Sequence, residues 1–330
     1  MVKDILKDRN NLLKQLNYLC EGSNPKEIYH SDAEWWGCHP INKLTGIEAI
    51  TNIWFDLLKS FSNLKRRESI FLSGNNFPDQ RSQKDISGMH LFASMCHYQG
   101  TFKNDFLGIP ANNKVIYLRS CEVHFLEHSK IRKSYVLFDL LNLMKQVDIW
   151  PISPSLGSDI LWPHPQSNDG VKVKEYDFDE GQNSFKIVMA MHSALGKYDG
   201  INIESMKHSQ YWTNDFSWYG PSGIGSSKGM EGFRKFHQIP FLRGFPDRKG
   251  ASHYIRIADN NFVVTGGWPS VQATHLGEWI GMPATNKKIY MRVMDFYRIE
   301  NKKIAENWVP IDIIHILYQM GFDVFKRFNK

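Results

Sequence analysis

The sequence lacks any hydrophobic run of membrane-spanning length, and it has only four cysteines in 330 residues. None of them forms a Cys-x-x-Cys pair, and all lie in the first half of the chain: Cys20, Cys38, Cys96 and Cys121. The N-terminus leads into a charged amphipathic stretch rather than an apolar signal core. We therefore expect no disulfide, no membrane partner and a cytoplasmic location, because disulfides are rare in that reducing compartment.

Motifs that bind metals and nucleotides are also missing. The sequence has no His-Glu-x-x-His pattern and no phosphate-binding loop. Gly223-Ile224-Gly225 lacks the preceding strand and the third glycine of a dinucleotide fingerprint. The spacing of the histidines matches no familiar ligand set, for example at His90, His97, His124 and His128. The sequence thus predicts neither a metal nor a cofactor.

The excess of positive charge is small and dispersed. The formal net charge is +6, and the longest basic clusters are two or three residues long with acidic residues between them. Nucleic-acid-binding proteins usually concentrate such charge in a stripe, so we expect no nucleic-acid partner. Aromatic residues make up 13% of the chain and include ten tryptophans, which suits deep cores or pockets for flat ligands.

An internal repeat is the strongest signal. When the chain is shifted by 173 positions, residues 108–146 lie over residues 281–319 without a gap, and 14 of 39 positions are identical. Asp139 falls on Asp312 in this alignment. An upstream block that includes Trp35 and Trp218 matches at an offset of 183. The sequence therefore predicts two copies of one domain.

Each copy has helices first and long strands later, which is typical of an α+β fold with a curved antiparallel sheet backed by helices. The second copy also predicts a short terminal helix, Ile313–Met320, with Gly321 as its C-cap. Four prolines mark residues 150–166 as a linker. We predict domains at 1–149 and 167–330.

The second copy contains Trp218-Tyr219-Gly220-Pro221, Gly229-Met230-Glu231-Gly232-Phe233, Thr274-His275-x-Gly277 and Lys303-Ile304-x-Glu306-x-Trp308-x-x-x-Asp312. This string resembles a SnoaL-like polyketide cyclase domain of the nuclear-transport-factor-2-like superfamily. The first copy resembles it more weakly, with Phe102 in place of His275 and Tyr135 in place of Trp308.

The resemblance implies a cone-shaped domain around an apolar cavity, and sheet-to-sheet dimers that a tandem chain could form within itself. It also implies cofactor-free ring closure of a small, aromatic or polyketide-like carbonyl compound. By position, Asp312 is the family's general base. Asp139, Tyr135 and Trp35 are the weaker equivalents of the site in the first copy.

Strand alternation supports this assignment. If residues 304–312 are extended, Glu306, Trp308 and Asp312 share one face, while Asn307 lies on the other. A carboxylate among apolar groups has a raised pKa and is a better base. A second interpretation stays open, because Asp312 directly precedes the predicted helix and aspartate is a preferred N-cap.

The remaining candidates surround that base. His275 either stabilises an enolate or is an ordinary histidine at a strand end. Trp308, Trp218 and Tyr219 shape the pocket, and Arg292 and Asp295 are further substrate-binding candidates. Related epoxide hydrolases use an Asp-Arg-Asp set, but Arg292 and Asp295 are three apart, so a regular strand sends them to opposite faces.

Two classes of function follow. The first is an enzyme of the cyclase or isomerase type with Asp312 as base. The second is a protein on the same fold that binds a small ligand or a partner without catalysis, because a fold alone does not establish chemistry. An epoxide hydrolase-like activity is the weaker third.

Overall fold

The computed structural model describes residues 2–78, 86–173 and 176–327. Each half of the chain forms one mixed sheet with helices, so the predicted α+β class with two curved, helix-backed sheets is confirmed. The four cysteines are buried free thiols. Among the described residues, no helix combines the length and apolar character needed to cross a membrane.

The described residues of the first half form four helices and six strands. In chain order they are α1 (Val2–Cys20), α2 (Pro25–Ile28), β1 (Tyr29–Gly37), β2 (Lys43–Thr45), α3 (Ile47–Ser60), β3 (Phe61–Asn75), β4 (His90–Phe102), β5 (Val115–Glu127), β6 (Lys130–Phe138) and α4 (Leu140–Gln146). The strands lie in the order β2-β1-β6-β5-β4-β3. Among the pairs of neighbouring strands in this order, β1–β6 is parallel and the others are antiparallel.

The second half repeats this plan. Its elements are α5 (Phe178–Leu195), β7 (Trp212–Tyr219), β8 (Ser227–Lys228), α6 (Gly229–Phe233), a π-helical turn (Arg234–Gln238), α7 (Ile239–Gly244), β9 (Lys249–Gly250), β10 (Ile255–Asp259), β11 (Phe262–Thr274), β12 (Lys288–Glu300), β13 (Lys303–Trp308) and α8 (Ile313–Met320). Three further 3₁₀ turns are Ile203–Met206, His208–Tyr211 and Phe325–Arg327.

The strand order of the second half, β8-β7-β13-β12-β11-β10, is the order of the first. β7 and β13 again form the parallel pair, and Ile304 lies beside Trp212 as Ile131 lies beside Tyr29. The repeat in the sequence is therefore a repeat of topology.

Local signals fix the ends of the last helix. Asp312 caps its start, because its side chain accepts the main-chain N–H of His315. Gly321 ends the helix with φ at 95°, a left-handed conformation that glycine adopts without steric cost. Both ends lie where the sequence predicts them.

One face of each sheet carries helices, and the other face contacts the other half of the chain or the segment between the halves. Tyr135 on β6 packs against Tyr254 and Trp268 of the second half, with ring centroids 5.7 and 5.2 Å apart. Main-chain atoms also cross between the halves, since the N–H of Phe77 donates to the carbonyl oxygen of Arg256 at 2.8 Å. Both faces of the sheets are thus buried, by different partners.

Candidate functional site

Asp312 lies at the contact between the two halves. Its Oδ1 accepts the N–H of His315 at 3.1 Å, and its Oδ2 accepts the main-chain N–H of His39, in the first half, at 2.8 Å. The guanidinium of Arg292 lies 3.2 Å from the same Oδ2. Burial raises the pKa of Asp312 to about 6, against the opposing effect of Arg292. Both carboxylate oxygens therefore already have partners from the protein.

Asp139 has the same arrangement in the first half. Its Oδ1 accepts the N–H of Asn142 at 3.0 Å and thereby caps α4. Its Oδ2 lies 2.6 Å from Arg119 and accepts the N–H of Ser222, in the second half, at 3.1 Å. The two aspartates therefore make matching contacts, and capping together with contact across the halves explains why both copies have one.

The residues predicted around Asp312 do not gather around it as a pocket. Trp308 does share a face with Glu306, but that face is covered by the segment between the halves. The indole N–H of Trp308 donates to the carbonyl oxygen of Pro163 at 3.3 Å, and Glu306 accepts the N–H of Gln166 at 3.0 Å. Tyr219 stacks on Trp308 with centroids 5.1 Å apart. The expected aromatic wall is thus part of a packed contact.

The other predicted residues lie elsewhere. Trp218 is on the helix-facing side of β7 and stacks on His237 at 4.2 Å. His275 is fully buried beside Phe245, and its Nδ1 lies 3.1 Å from Oγ1 of Thr285. In the first half, Trp35 is buried against Trp54, and Tyr135 lies in the contact described above; these two do not share a site either.

Arg292 and Asp295 lie on opposite faces of β12, as their spacing predicts. Arg292 donates to the carbonyl oxygen of Gly37 at 3.1 Å and to Oδ1 of Asn42 at 2.9 Å, both in the first half. Asp295 instead faces the interior under the helices. The Asp-Arg-Asp set is therefore not assembled around these two residues.

Asp295 is held in that interior by neutral hydrogen-bonding groups. Tyr297, two residues along β12, and Asn307 on β13 donate to its side chain. Burial raises the pKa of Asp295 to about 7, and these two hydrogen bonds oppose the rise without cancelling it. The side chain is half-buried although its strand neighbours are buried, so there is accessible space beside it. Such a carboxyl exchanges a proton near neutral pH.

A chain of polar side chains continues from Asp295. The hydroxyl oxygen of Tyr297 lies 3.0 Å from Nε2 of His192 on α5. The rings of His192 and His253 are 5.2 Å apart, and Nε2 of His253 lies 2.8 Å from Oγ of Ser270. Sequence reasoning missed these partners. The spacing of Asp295 and Tyr297, two residues apart on a strand, could have predicted that they share a face of the sheet.

Residues 199–320 match the family model of the SnoaL-like polyketide cyclases. These residues form a SnoaL-like domain. The first half carries the same fold in a second, tandem copy, which the family model leaves unmarked. No curated protein matches the chain significantly.

Several solved structures are similar to about two fifths of the chain. AclR from Streptomyces galilaeus, a proposed hydroxylase, is 19% identical with a TM-score of 0.35, over 43% of this chain and 86% of its own. IdmH from Streptomyces antibioticus, a proposed polyketide cyclase, is 13% identical with a TM-score of 0.34, over 43% of this chain and 99% of its own. An NTF2-like protein from Burkholderia xenovorans LB400 is 15% identical with a TM-score of 0.33, over 42% and 97%. At these values no activity transfers to this chain.

The first half has a different group at the position of Asp295. Glu122 replaces it, and the buried guanidinium of Arg66 lies 2.9 Å from the Glu122 carboxylate. Arg66 holds the pKa of Glu122 well below its usual range, although burial alone would raise it. Further hydrogen bonds come from Tyr98 and Ser120, at 2.9 and 2.7 Å. The interior of the first half is therefore filled by a permanent ion pair, while the SnoaL-like half keeps a carboxyl near its titration point.

Two cavities lie on the SnoaL-like half near the segment between the halves. One is a groove of about 610 Å³ that Arg234, Lys235 and Arg243 line on one side. The other, of about 130 Å³, lies among Leu156, His237 and Trp279. Neither is lined by Asp312, Trp308 or Asp295. The expected apolar pocket around Asp312 is not among them.

Proposed function

We propose that the SnoaL-like half binds a small, aromatic or polyketide-like carbonyl compound beside Asp295 and catalyses a cyclase- or isomerase-type reaction by acid–base chemistry. The SnoaL-like fold supports a polyketide cyclase-type function. The observation that carries the finer proposal is the half-buried Asp295, with a pKa of about 7 and neutral hydrogen-bond donors. This assigns the general base to Asp295 rather than to Asp312.

The proposed step is removal of a proton from a carbon between two carbonyl groups. The C–H bond breaks, its proton passes to the Asp295 carboxylate, and the electron pair becomes an enolate. A carboxyl with a pKa near the working pH is well matched to this transfer, which contributes about a hundred- to ten-thousand-fold in rate. Asp295 then returns the proton to carbon or, after ring closure, to oxygen.

Tyr297 and His192 have supporting roles in this proposal. The Tyr297 hydroxyl, which touches both Asp295 and His192, donates a hydrogen bond to the carboxylate form. His192 is half-buried, so it connects the interior to the surface of α5. We propose that this pair exchanges the Asp295 proton with solvent between turnovers.

The first half serves as a partner domain in this proposal. We propose that domains 1–149 and 167–330 form an intramolecular pseudo-dimer, joined by residues 150–166, in the cytoplasm. The Asp139 and Asp312 contacts across the halves support it. Because Arg66 neutralises Glu122, the first half has no acid–base role here.

A non-catalytic ligand-binding protein is the second candidate. The observation in its favour is that the two cavities near the segment between the halves lie away from Asp295. In that case Asp295 is a buried polar group and the ligand occupies the cavity beside His237 and Trp279.

The test measures exchange of the acidic C–H protons of a 1,3-dicarbonyl probe, acetylacetone, in D₂O by NMR, with and without the protein. We expect the wild type to accelerate exchange, Asp295→Asn to lose at least a hundredfold of that acceleration, and Asp312→Asn to retain it. Glu122→Gln, the matched change in the first half, should also retain it. Loss in Asp312→Asn with retention in Asp295→Asn reverses the assignment. Binding of aromatic dicarbonyls without any exchange favours the second candidate.

A further inference from the structure

The hairpin that joins β5 to β6 places two imidazoles and a carboxylate together on the first half. His30 lies at the start of β1, and Glu127 and His128 lie in the hairpin, yet one ligand atom from each comes within 4.8 Å of the other two. The sequence predicted no metal, because residues 30 and 127–128 are too far apart to form a spacing motif. The parallel pairing of β1 with β6 brings them together.

We propose that His30, Glu127 and His128 bind a divalent transition-metal ion of the Zn²⁺ type. Imidazole nitrogen and carboxylate oxygen are the donors that zinc takes in sites with three protein ligands, with solvent in the fourth position. Donor atoms around a tetrahedral zinc are about 3.3 Å apart, given bonds of about 2.0–2.1 Å. Glu127 and His128 are exposed and His30 is half-buried, so the three side chains have room to bring their donor atoms to the shorter distance that zinc requires.

The ring of His30 is already oriented by the hairpin. Its Nε2 lies 2.7 Å from the carbonyl oxygen of Glu127. The same Nε2 lies 3.9 Å from Oε2 of Glu127, so this nitrogen faces the carboxylate, and it exchanges the carbonyl for the metal on binding.

Arg132 brings a positive charge close to this cluster, which opposes the binding of a cation. Its Nε lies 3.7 Å from Oε2 of Glu127, while its Nη1 lies 2.7 Å from Oδ1 of Asp32. The shorter contact anchors the guanidinium on Asp32. Glu127 can therefore turn toward the imidazoles while Arg132 keeps its closer partner.

The second half offers a control built into the chain. Its β12–β13 hairpin has the same two left-handed positions, Asn301 and Lys302 with φ of 50° and 60°, where the first half has His128 and Ser129 with φ of 48° and 62°. The turn therefore forms without histidine, and asparagine suits such turns well. Thr213 occupies the position of His30 in the matched strand. At these two matched positions, histidines therefore occur in the first half and not in the second.

The test titrates the full chain with ZnCl₂ by isothermal calorimetry, after treatment with EDTA and buffer exchange. We expect one saturable site in the wild type, and a dissociation constant raised at least tenfold in His30→Thr and in His128→Asn. Both substitutions copy the second half, so they preserve the local backbone. His164→Asn, which changes an exposed histidine outside the cluster, should leave binding unchanged.

Cobalt gives an independent measurement. Co²⁺ bound by three protein ligands should show visible d–d absorption in the wild type that both variants lose. Unchanged thermal midpoints in EDTA would establish that the variants fold. Failure of the wild type to bind Zn²⁺ saturably up to millimolar concentration overturns the proposal, and so does binding that the two variants retain at full strength.

Discussion

Asp139 and Asp312 each accept a main-chain N–H from the opposite half of the chain, from Ser222 at 3.1 Å and from His39 at 2.8 Å. Each aspartate also caps the helix that follows it and faces an arginine of its own half. Each carboxylate thus contacts the helix that it caps, the arginine on a strand of its own half, and the main chain of the opposite half. This arrangement needs only geometry and charge from the aspartate, not proton transfer.

Replacing Asp312 by asparagine should therefore affect stability and spare catalysis. The amide keeps the N-cap but weakens the ion pair with Arg292, so we expect a loss of about 1–2 kcal/mol in the free energy of unfolding. Asp139→Asn should lose a similar amount, because its contacts match. Urea denaturation measures both, and a catalytic loss confined to Asp312→Asn would contradict the structural role.

Asp295 should give the protein a characteristic dependence on pH. Its folded pKa, about 7, lies above the value of an unfolded aspartate, so the folded state binds the proton more tightly. Its contribution therefore stabilises the protein as pH falls through 7, by about 2 kcal/mol between pH 8 and pH 5.5. The difference in unfolding free energy between wild type and Asp295→Asn, followed over that range, isolates the effect. A flat difference, or one of opposite sign, places the pKa elsewhere.

Arg66 should be essential to the first half. Its side chain is fully buried, and Arg66→Met leaves the carboxyls of Glu68 and Glu122 without their shared guanidinium partner. We expect a loss of about 3–5 kcal/mol in unfolding free energy. Arg67→Met is the control. Arg67 is the next residue and is exposed, so its replacement should lower the free energy of unfolding by less than about 1 kcal/mol. Equal effects of the two substitutions would mean that the buried network contributes nothing.

A second buried ion pair should couple the two halves. Arg9 on α1 lies 2.6 Å from Asp259 on β10, and neither side chain is exposed. Arg9→Met should lower the unfolding free energy by about 3–5 kcal/mol, since it leaves the Asp259 carboxyl buried without its partner. Asp259→Leu added to Arg9→Met should recover part of that loss. Lys14→Met, an exposed change on the same helix, serves as the control, and denaturation curves of the three variants decide the matter.

Much of the fold could be predicted from the residues. The alignment at 173 positions established that Asp139 and Asp312 are equivalent, and the sheet order agrees with it. Helix capping by Asp312 and Gly321 could also be predicted from the sequence, because each cap contacts backbone groups within a few residues of itself. Strand alternation correctly separated Trp308 from Asn307, and Arg292 from Asp295.

The alternation of side chains along a strand does not predict which face of the sheet lies under the helices. Alternation shows that Glu306 and Trp308 point the same way. Both faces of this sheet are buried, however, one under helices and one, at these residues, under the segment between the halves. The surroundings of Asp295 and the cluster of His30, Glu127 and His128 each depend on residues that distant parts of the chain bring together. The sequence determined periodicity, caps and the repeat, because these are local or internal comparisons. Only the tertiary structure decided that Asp295 is enclosed with neutral hydrogen-bond donors and that Asp312 contacts the opposite half.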